Sequence, residues 1–138
     1  MAAHWLSLRT TVSAVENLDI VCDALVWLTG DEDAIDVDKT KSHHGSVMYS
    51  VSCKITKNSS IKHVISRLGK GICSELLETQ TDRLDSSNSL HFRIDKTSLI
   101  CAKPILAPPG SASSLKASIK LKIFGNETAK SQLESLLS

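Results

Sequence analysis

From Leu115 to Ile123 the chain alternates strictly, with Leu115, Ala117, Ile119, Leu121 and Ile123 separated by Lys116, Ser118, Lys120 and Lys122. Successive side chains of a strand point to opposite faces, so this segment has one aliphatic face and one face carrying three lysines. Such a stripe by itself is an ordinary solvated surface, and it gains weight only if neighbouring strands extend it.

Three other segments do extend it. Leu6, Leu8 and Val12 alternate with Trp5, Ser7, Arg9 and Thr11. Val47, Tyr49, Val51, Cys53 and Ile55 form an inner face against Met48, Ser50, Ser52, Lys54 and Thr56, and Leu90, Phe92 and Ile94 do so against His91, Arg93 and Asp95. If these strands share one sheet, the outer face pools Arg9, Lys54, Arg93, Lys116, Lys120 and Lys122 against a single carboxylate, Asp95. A basic face of this kind suits a polyanion.

The formal net charge of +1 conceals this separation. Residues 1–38 hold one base and eight acids, whereas residues 39–138 hold 15 bases and 7 acids. With 138 residues, 41% of them hydrophobic, the chain is expected to form one domain, residues 1–138. Cys22, Cys53, Cys73 and Cys101 contain no C-x-x-C pair and are expected to be buried, reduced thiols. Without a signal peptide or an apolar run of about 20 residues, the expected location is the cytoplasm.

Between the strands, Ser13 and Glu16 form a capping box, and Leu18, Val21, Cys22, Leu25 and Leu28 recur at helical spacing up to Gly30. Residues 31–44 lose periodicity and are expected to form a mobile loop. A second helix begins near Ser59 or Ser60, carries Ile61, Val64, Ile65 and Leu68 on one face, and is interrupted at Gly69 and Gly71. Leu99 to Leu106 is an apolar run that Pro104 confines to a sheet edge or strand end, and Pro108 to Ser114 reads as a flexible connector. Asn126 caps a closing helix with Ala129, Leu133, Leu136 and Leu137 on its apolar side. The helices are too few to cover both faces of a sheet. The expectation is therefore an α+β fold of two layers, with helices on one face of an antiparallel sheet and the basic face open.

Three segments carry a family resemblance: Ala3-His4-Trp5-Leu6-Ser7-Leu8-Arg9, Ser42-His43-His44-Gly45-Ser46, and Leu90-His91-Phe92-Arg93-Ile94-Asp95-Lys96. In order and spacing over most of the chain they resemble archaeal proteins described as RNA-binding and exosome-subunit-like, whose fold is similar to ribosomal protein L5. The family typically shows a Gly-His-Tyr-Gly-Asn-like segment where this chain has Ser42 to Ser46. The resemblance implies an L5-like fold, RNA binding in RNA processing, and no catalytic activity.

Enzymatic signatures are missing from the residues themselves. No P-loop, G-x-G-x-x-G or G-x-S-x-G occurs, and Gly69-Lys70-Gly71 lacks the context of a phosphate cradle. His43 and His44 with Asp36 and Asp38 lack H-x-x-x-H or H-x-H spacing, so no metal or cofactor is expected. His63 and His91 are expected to be solvated. With 4% aromatic residues, only Trp5 is a candidate stacking platform, which favours structured or double-stranded RNA over single strands. The expected site is Arg9, Lys54, Arg93, Lys116, Lys120 and Lys122 on phosphates, with Trp5 beside them. The alternative is a non-enzymatic protein-interaction module that uses the acidic helix and loop 16–38, above all Glu16, Asp19 and Asp23.

Overall fold

The structure, a computed structural model, describes residues 3–41, 45–108, 113–123 and 128–137. In chain order the elements are β1 (Ala3–Ser13), α1 (Leu18–Thr29), a one-turn 3-10 helix (Glu32–Ala34), β2 (Ile35–Lys41), β3 (Val47–Ile55) and α2 (Asn58–Glu78). They continue with α3 (Gln80–Arg83), β4 (Ser89–Asp95), α4 (Lys96–Ile100), β5 (Ser114–Leu121) and α5 (Ala129–Leu137). The five strands form one antiparallel sheet in the order β2-β3-β1-β5-β4. The fold is α+β and two-layered, as the alternation predicts.

The period-2 pattern sets which face is covered. Leu6, Leu8 and Val12 of β1, Val51, Cys53 and Ile55 of β3, Leu90, Phe92 and Ile94 of β4, and Leu115, Ala117 and Ile119 of β5 are all buried. Against them pack Val21, Leu25 and Leu28 of α1, Ile61, Val64, Leu68 and Leu76 of α2, and Leu133 of α5. Each large aliphatic side chain buried in this way contributes about 1.5–3 kcal/mol of transfer free energy.

Several elements differ from the expectations. Segment 31–44 is not a loop throughout, because Ile35–Lys41 pairs with β3 as an edge strand. Six of its seven residues are exposed, so neither face is buried and no alternation marks it. Ser13 and Glu16 do hydrogen-bond, but they close a turn, and Asn17 is the N-cap of α1, accepting from Ile20 N–H at 3.2 Å. The interruption at Gly69, by contrast, occurs as the spacing predicts, because φ 86° and ψ 166° leave the helical region and Asn58–Glu78 is two helical stretches meeting at a kink. Leu99 belongs to the short helix α4, while Leu106 bridges Ile94 at the sheet edge. Cys53 and Cys73 are buried and Cys22 is half-buried, whereas Cys101 is exposed. Burial first, then Asp36 and Asp31, push the Cys53 thiol up to about 11, so it is inert at neutral pH. The expected cap Asn126 and most of the 108–114 connector lie outside the described residues.

Two contacts lock the layers together. Lys96, buried at the start of α4, donates to Thr11 O at 2.8 Å and to Glu16 Oε2 at 3.0 Å, tying α4 to the end of β1. Burial opposes ionisation of Glu16, but the Lys96 ammonium and the Ser13 donors outweigh it and hold the carboxyl below its ordinary 4.5. Gly30 ends α1 at φ 74°, donating to Val26 O at 2.7 Å, and a Cβ there would lie 2.9 Å from His63 Nε2. His63 Nε2 is therefore not solvated: it is buried against this turn without a hydrogen-bond partner.

Two outcomes follow for stability. Glu16→Gln keeps a side-chain oxygen that can accept from Lys96 but removes the negative charge opposite its ammonium. Because Glu16 is open to water, the expected cost at pH 7 is about 1–2 kcal/mol by urea unfolding. A lowered folded pKa means the unfolded state binds more protons near its own value, so the Glu16 contribution is complete above pH 4.5 and is lost as pH falls through the folded value. The gap between parent and Glu16→Gln should thus be flat from neutral pH down to the ordinary carboxylate value and close as pH falls through the lower folded one. Gly30→Ala should cost about 1–2 kcal/mol from the left-handed backbone. Adding His63→Ala should recover any further cost from the close approach, which a double-mutant cycle reads directly.

Candidate functional site

The register turns the open face into rows. Asp36 of β2 lies opposite Ser52 of β3, Ser52 opposite Arg9 of β1, Arg9 opposite Lys116 of β5, and Lys116 opposite Arg93 of β4. Directly opposed residues have Cβ atoms about 4.5–5.5 Å apart, so Arg9, Lys116 and Arg93 form a contiguous line of three cations about 10 Å long. Ala107 N–H donates to Arg93 O at 2.8 Å from outside the sheet, which turns the Arg93 backbone away from β5. Arg93 and Lys116 are therefore a non-hydrogen-bonded pair, the kind whose side chains stand closest.

The next row sets Ser7 of β1 between Lys54 and Ser118, and Ser118 opposite His91. Ser7 Oγ and Ser118 Oγ are hydrogen-bonded at 2.9 Å, which leaves the centre of the face polar and flat. In the third row Trp5 faces Lys120 and Lys120 faces Ser89. Trp5 is half-buried, and Lys54 Nζ sits 5.0 Å from its ring centroid in a cation–π contact.

The seven residues singled out in the sequence thus separate. Arg9, Lys54, Arg93, Lys116 and Trp5 share the open face. Lys120 is also on it, but its ammonium donates to the Ser87 carbonyl. Lys122 follows the last residue of β5 and is half-buried. The carboxylates also differ from the expectation of Asp95 alone. Asp95 accepts from Ser98 N at 2.9 Å and Ser98 Oγ at 2.8 Å as the cap of α4, whereas the exposed Asp36 and Asp38 of β2 border the face at its far edge.

His91 is exposed but engaged, with Nε2 2.7 Å from Asp85 Oδ2. Asp85 Oδ1 accepts from Ser87 N at 2.9 Å, Ser87 Oγ at 2.7 Å and Ser89 N at 3.0 Å. His91, then Ser87 and Ser89, hold the Asp85 carboxyl well below the usual carboxylate range. The sequence shows this segment only as a turn before β4, and the pairing that places Arg83 and Leu84 beside β4 is invisible in it. Leu84 bridges Leu90, and Arg83 lines a cavity of about 570 Å³ with Arg93 and Lys116.

On α1, Asp19 and Asp23 are exposed, while Glu16 is spent on Lys96. Among the described residues no three His, Cys, Asp or Glu side chains converge on a metal position, and His43 and His44 lie outside those residues. No helix among them is long and apolar enough to cross a membrane.

Solved structures share this architecture. A DUF54 protein from Methanothermobacter thermautotrophicus, Mth689, superposes with a TM-score of 0.81 at 16% identity, covering 100% of both chains. The DUF54 protein AF2318 from Archaeglobus fulgidus is 27% identical with a TM-score of 0.74 over 96% of each chain. A UPF0201 protein from Methanococcus jannaschii gives 0.67 at 10% identity, over 97% of this chain and 99% of that one. No curated protein matches the sequence. The family described as RNA binding matches residues 5–124, which include every strand of the sheet from Trp5 onward and the whole cationic row, and the chain belongs to that family.

Proposed function

We propose that the protein is a non-catalytic RNA-binding accessory factor that holds structured or double-stranded RNA by its phosphates on the open sheet face. The observation that carries this is the row Arg9, Lys116, Arg93. Like charges directly opposed across strands are destabilising, and no carboxylate stands among these three. A surface under no functional demand gains by interspersing signs, and this row does not. A polyanion laid along the row converts the repulsion into attraction.

The aromatic inventory supports backbone contact over base reading. Among the described residues Trp5 is the only aromatic side chain on the open face, and Lys54 covers its ring. Phe92 points into the core, and Trp27 is on α1 with the Arg67 guanidinium 4.8 Å from its ring. Single-strand binders need several free stacking platforms, whereas an A-form duplex is recognised by shape, phosphates and 2′-hydroxyls. The sequence resemblance supports the finer assignment: an L5-like fold serving RNA processing beside an exosome-type complex in the cytoplasm, with a protein partner in that complex.

Titration of a labelled hairpin RNA by anisotropy tests the reading. With Arg9, Lys54, Arg93 and Lys116 on phosphates, log K against log salt should slope at about −3 to −4. Lys116→Ser should flatten that slope by about one contact and, by relieving repulsion within the row, leave stability unchanged or higher by a few tenths of a kcal/mol. Lys120→Ser should weaken RNA binding less than Lys116→Ser, because Lys120 is held by Ser87. A salt-insensitive isotherm, or no binding at low salt, would overturn the assignment.

A further inference from the structure

The outer edge of β4 is bracketed at both ends. Leu84 bridges Leu90 at one end and Leu106 bridges Ile94 at the other, with Asp85 N–H donating to Ser89 O at 3.0 Å and Ala107 N–H to Arg93 O at 2.8 Å. The cavity of about 570 Å³ is walled by residues of both brackets, Leu84 and Ala107 among them, and by the end of the cationic row. That volume is typical of a small-ligand site rather than of a groove for a duplex.

Its charges come from three separate elements: Arg83 from α3, Arg93 from β4 and Lys116 from β5. Arg83 is fixed in place, since its Nε donates to Thr79 Oγ1 at 2.7 Å and Thr79 Oγ1 donates to Glu75 O at 2.7 Å. Among the described residues no carboxylate forms an ion pair with any of the three. Of the two acids lining the cavity, Asp85 is taken up by His91, Ser87 and Ser89, which leaves Asp82 to accept from a ligand.

Three cations exceed what one internal phosphodiester, with a single charge, calls for. A phosphomonoester carries about −1.5 to −2 charges and three acceptor oxygens, which suits two guanidinium groups and an ammonium. A carboxylate able to accept from ribose hydroxyls or a base amino group, together with apolar walls, completes the requirements of a whole nucleotide. We infer that this cavity holds a nucleoside monophosphate group, the phosphorylated end of an RNA strand whose next phosphates run onto Lys116 and Arg9. The inference rests on the open face being an RNA surface.

The test compares one RNA sequence in four forms at a fixed low salt: circular, linear with hydroxyl ends, linear with a 5′-phosphate, and linear with a 3′-phosphate. On the parent protein one phosphorylated form should bind about tenfold more tightly than the hydroxyl form, and the form that does so identifies the end. Arg83→Gln should abolish this preference while leaving the circular RNA bound as before, because Arg83 lies outside the row. Equal affinity for phosphorylated and hydroxyl ends, with the circular RNA still bound, overturns the pocket and leaves the RNA surface standing. If no RNA form binds, the RNA surface is wrong, and amide shifts on titration with 5′-AMP and 3′-AMP decide the cavity alone. Shifts at Arg83, Phe92 and Ala107 that adenosine does not produce keep it as a nucleotide site; no such shifts overturn it. The ranking of RNA forms on the parent needs no variant to fold.

Discussion

Everything on the open face depends on the register of β1. As the central strand it is hydrogen-bonded on both sides, opposing β3 over Leu6 to Ser13 and β5 over Ala3 to Arg9. Side chains alternate with a period of two, so a slip by one residue would turn Leu6, Leu8 and Val12 to water and force Arg9 under the helices. The burial that fixes the core therefore also fixes which residue opposes Arg9. The line from Arg9 through Lys116 to Arg93 is a by-product of hydrophobic registration, and no contact among the cations themselves is needed to hold it.

The two sheet edges are handled differently, and the difference gives the face a direction. At β2 the edge carries charge on both faces, Asp36 and Asp38 on the open one and Lys39 and Lys41 on the other, the usual means of discouraging another strand from pairing there. At β4 the chain returns twice, through Leu84 and through Leu106, and covers the edge at both ends. The result is an acidic border at Asp36 and Asp38, cations across β1 and β5, and a cavity beyond β4. A polyanion is repelled at one side of the sheet and drawn toward the other. The sequence-level separation of acids before residue 39 from bases after it appears in space as this gradient, because β2 carries the end of the acidic stretch.

Where the sequence was legible, the reason is burial on one face only. Strands β1, β3, β4 and β5 each have a covered and an open side, and their alternation alone assigns Arg9, Lys54, Arg93 and Lys116 to the open face. Strand β2 is not legible in the sequence, because an edge strand exposed on both faces leaves no period to detect. Arg83 carries no sequence signal, because α3 is four residues long and the pairing of Leu84 with Leu90 is a tertiary choice, marked only by the turn residues between them. His63 departs from the solvated position its helical spacing predicts because its Nε2 is buried by the Gly30 turn of another helix, a contact that spacing within α2 cannot show.

Lys116 and Lys120 show why residue type and strand face alone do not make a site. They share β5 and point the same way, and nothing local to the sequence separates them. Their cross-strand neighbours do. Lys116 is flanked by Arg9 and Arg93, two cations that cannot satisfy it, whereas Lys120 is flanked by Trp5 and Ser89 next to a turn whose Ser87 carbonyl accepts a hydrogen bond from its ammonium. That turn exists because Asp85 collects donors from Ser87, Ser89 and His91, and its carboxylate is kept ionised by the same donors. The Asp85 turn thus withdraws one lysine into structure. Arg9, Lys116 and Arg93 are left as the positions whose charge meets no carboxylate among the described residues, Arg93 donating within the fold only to Ser114 Oγ at 3.4 Å.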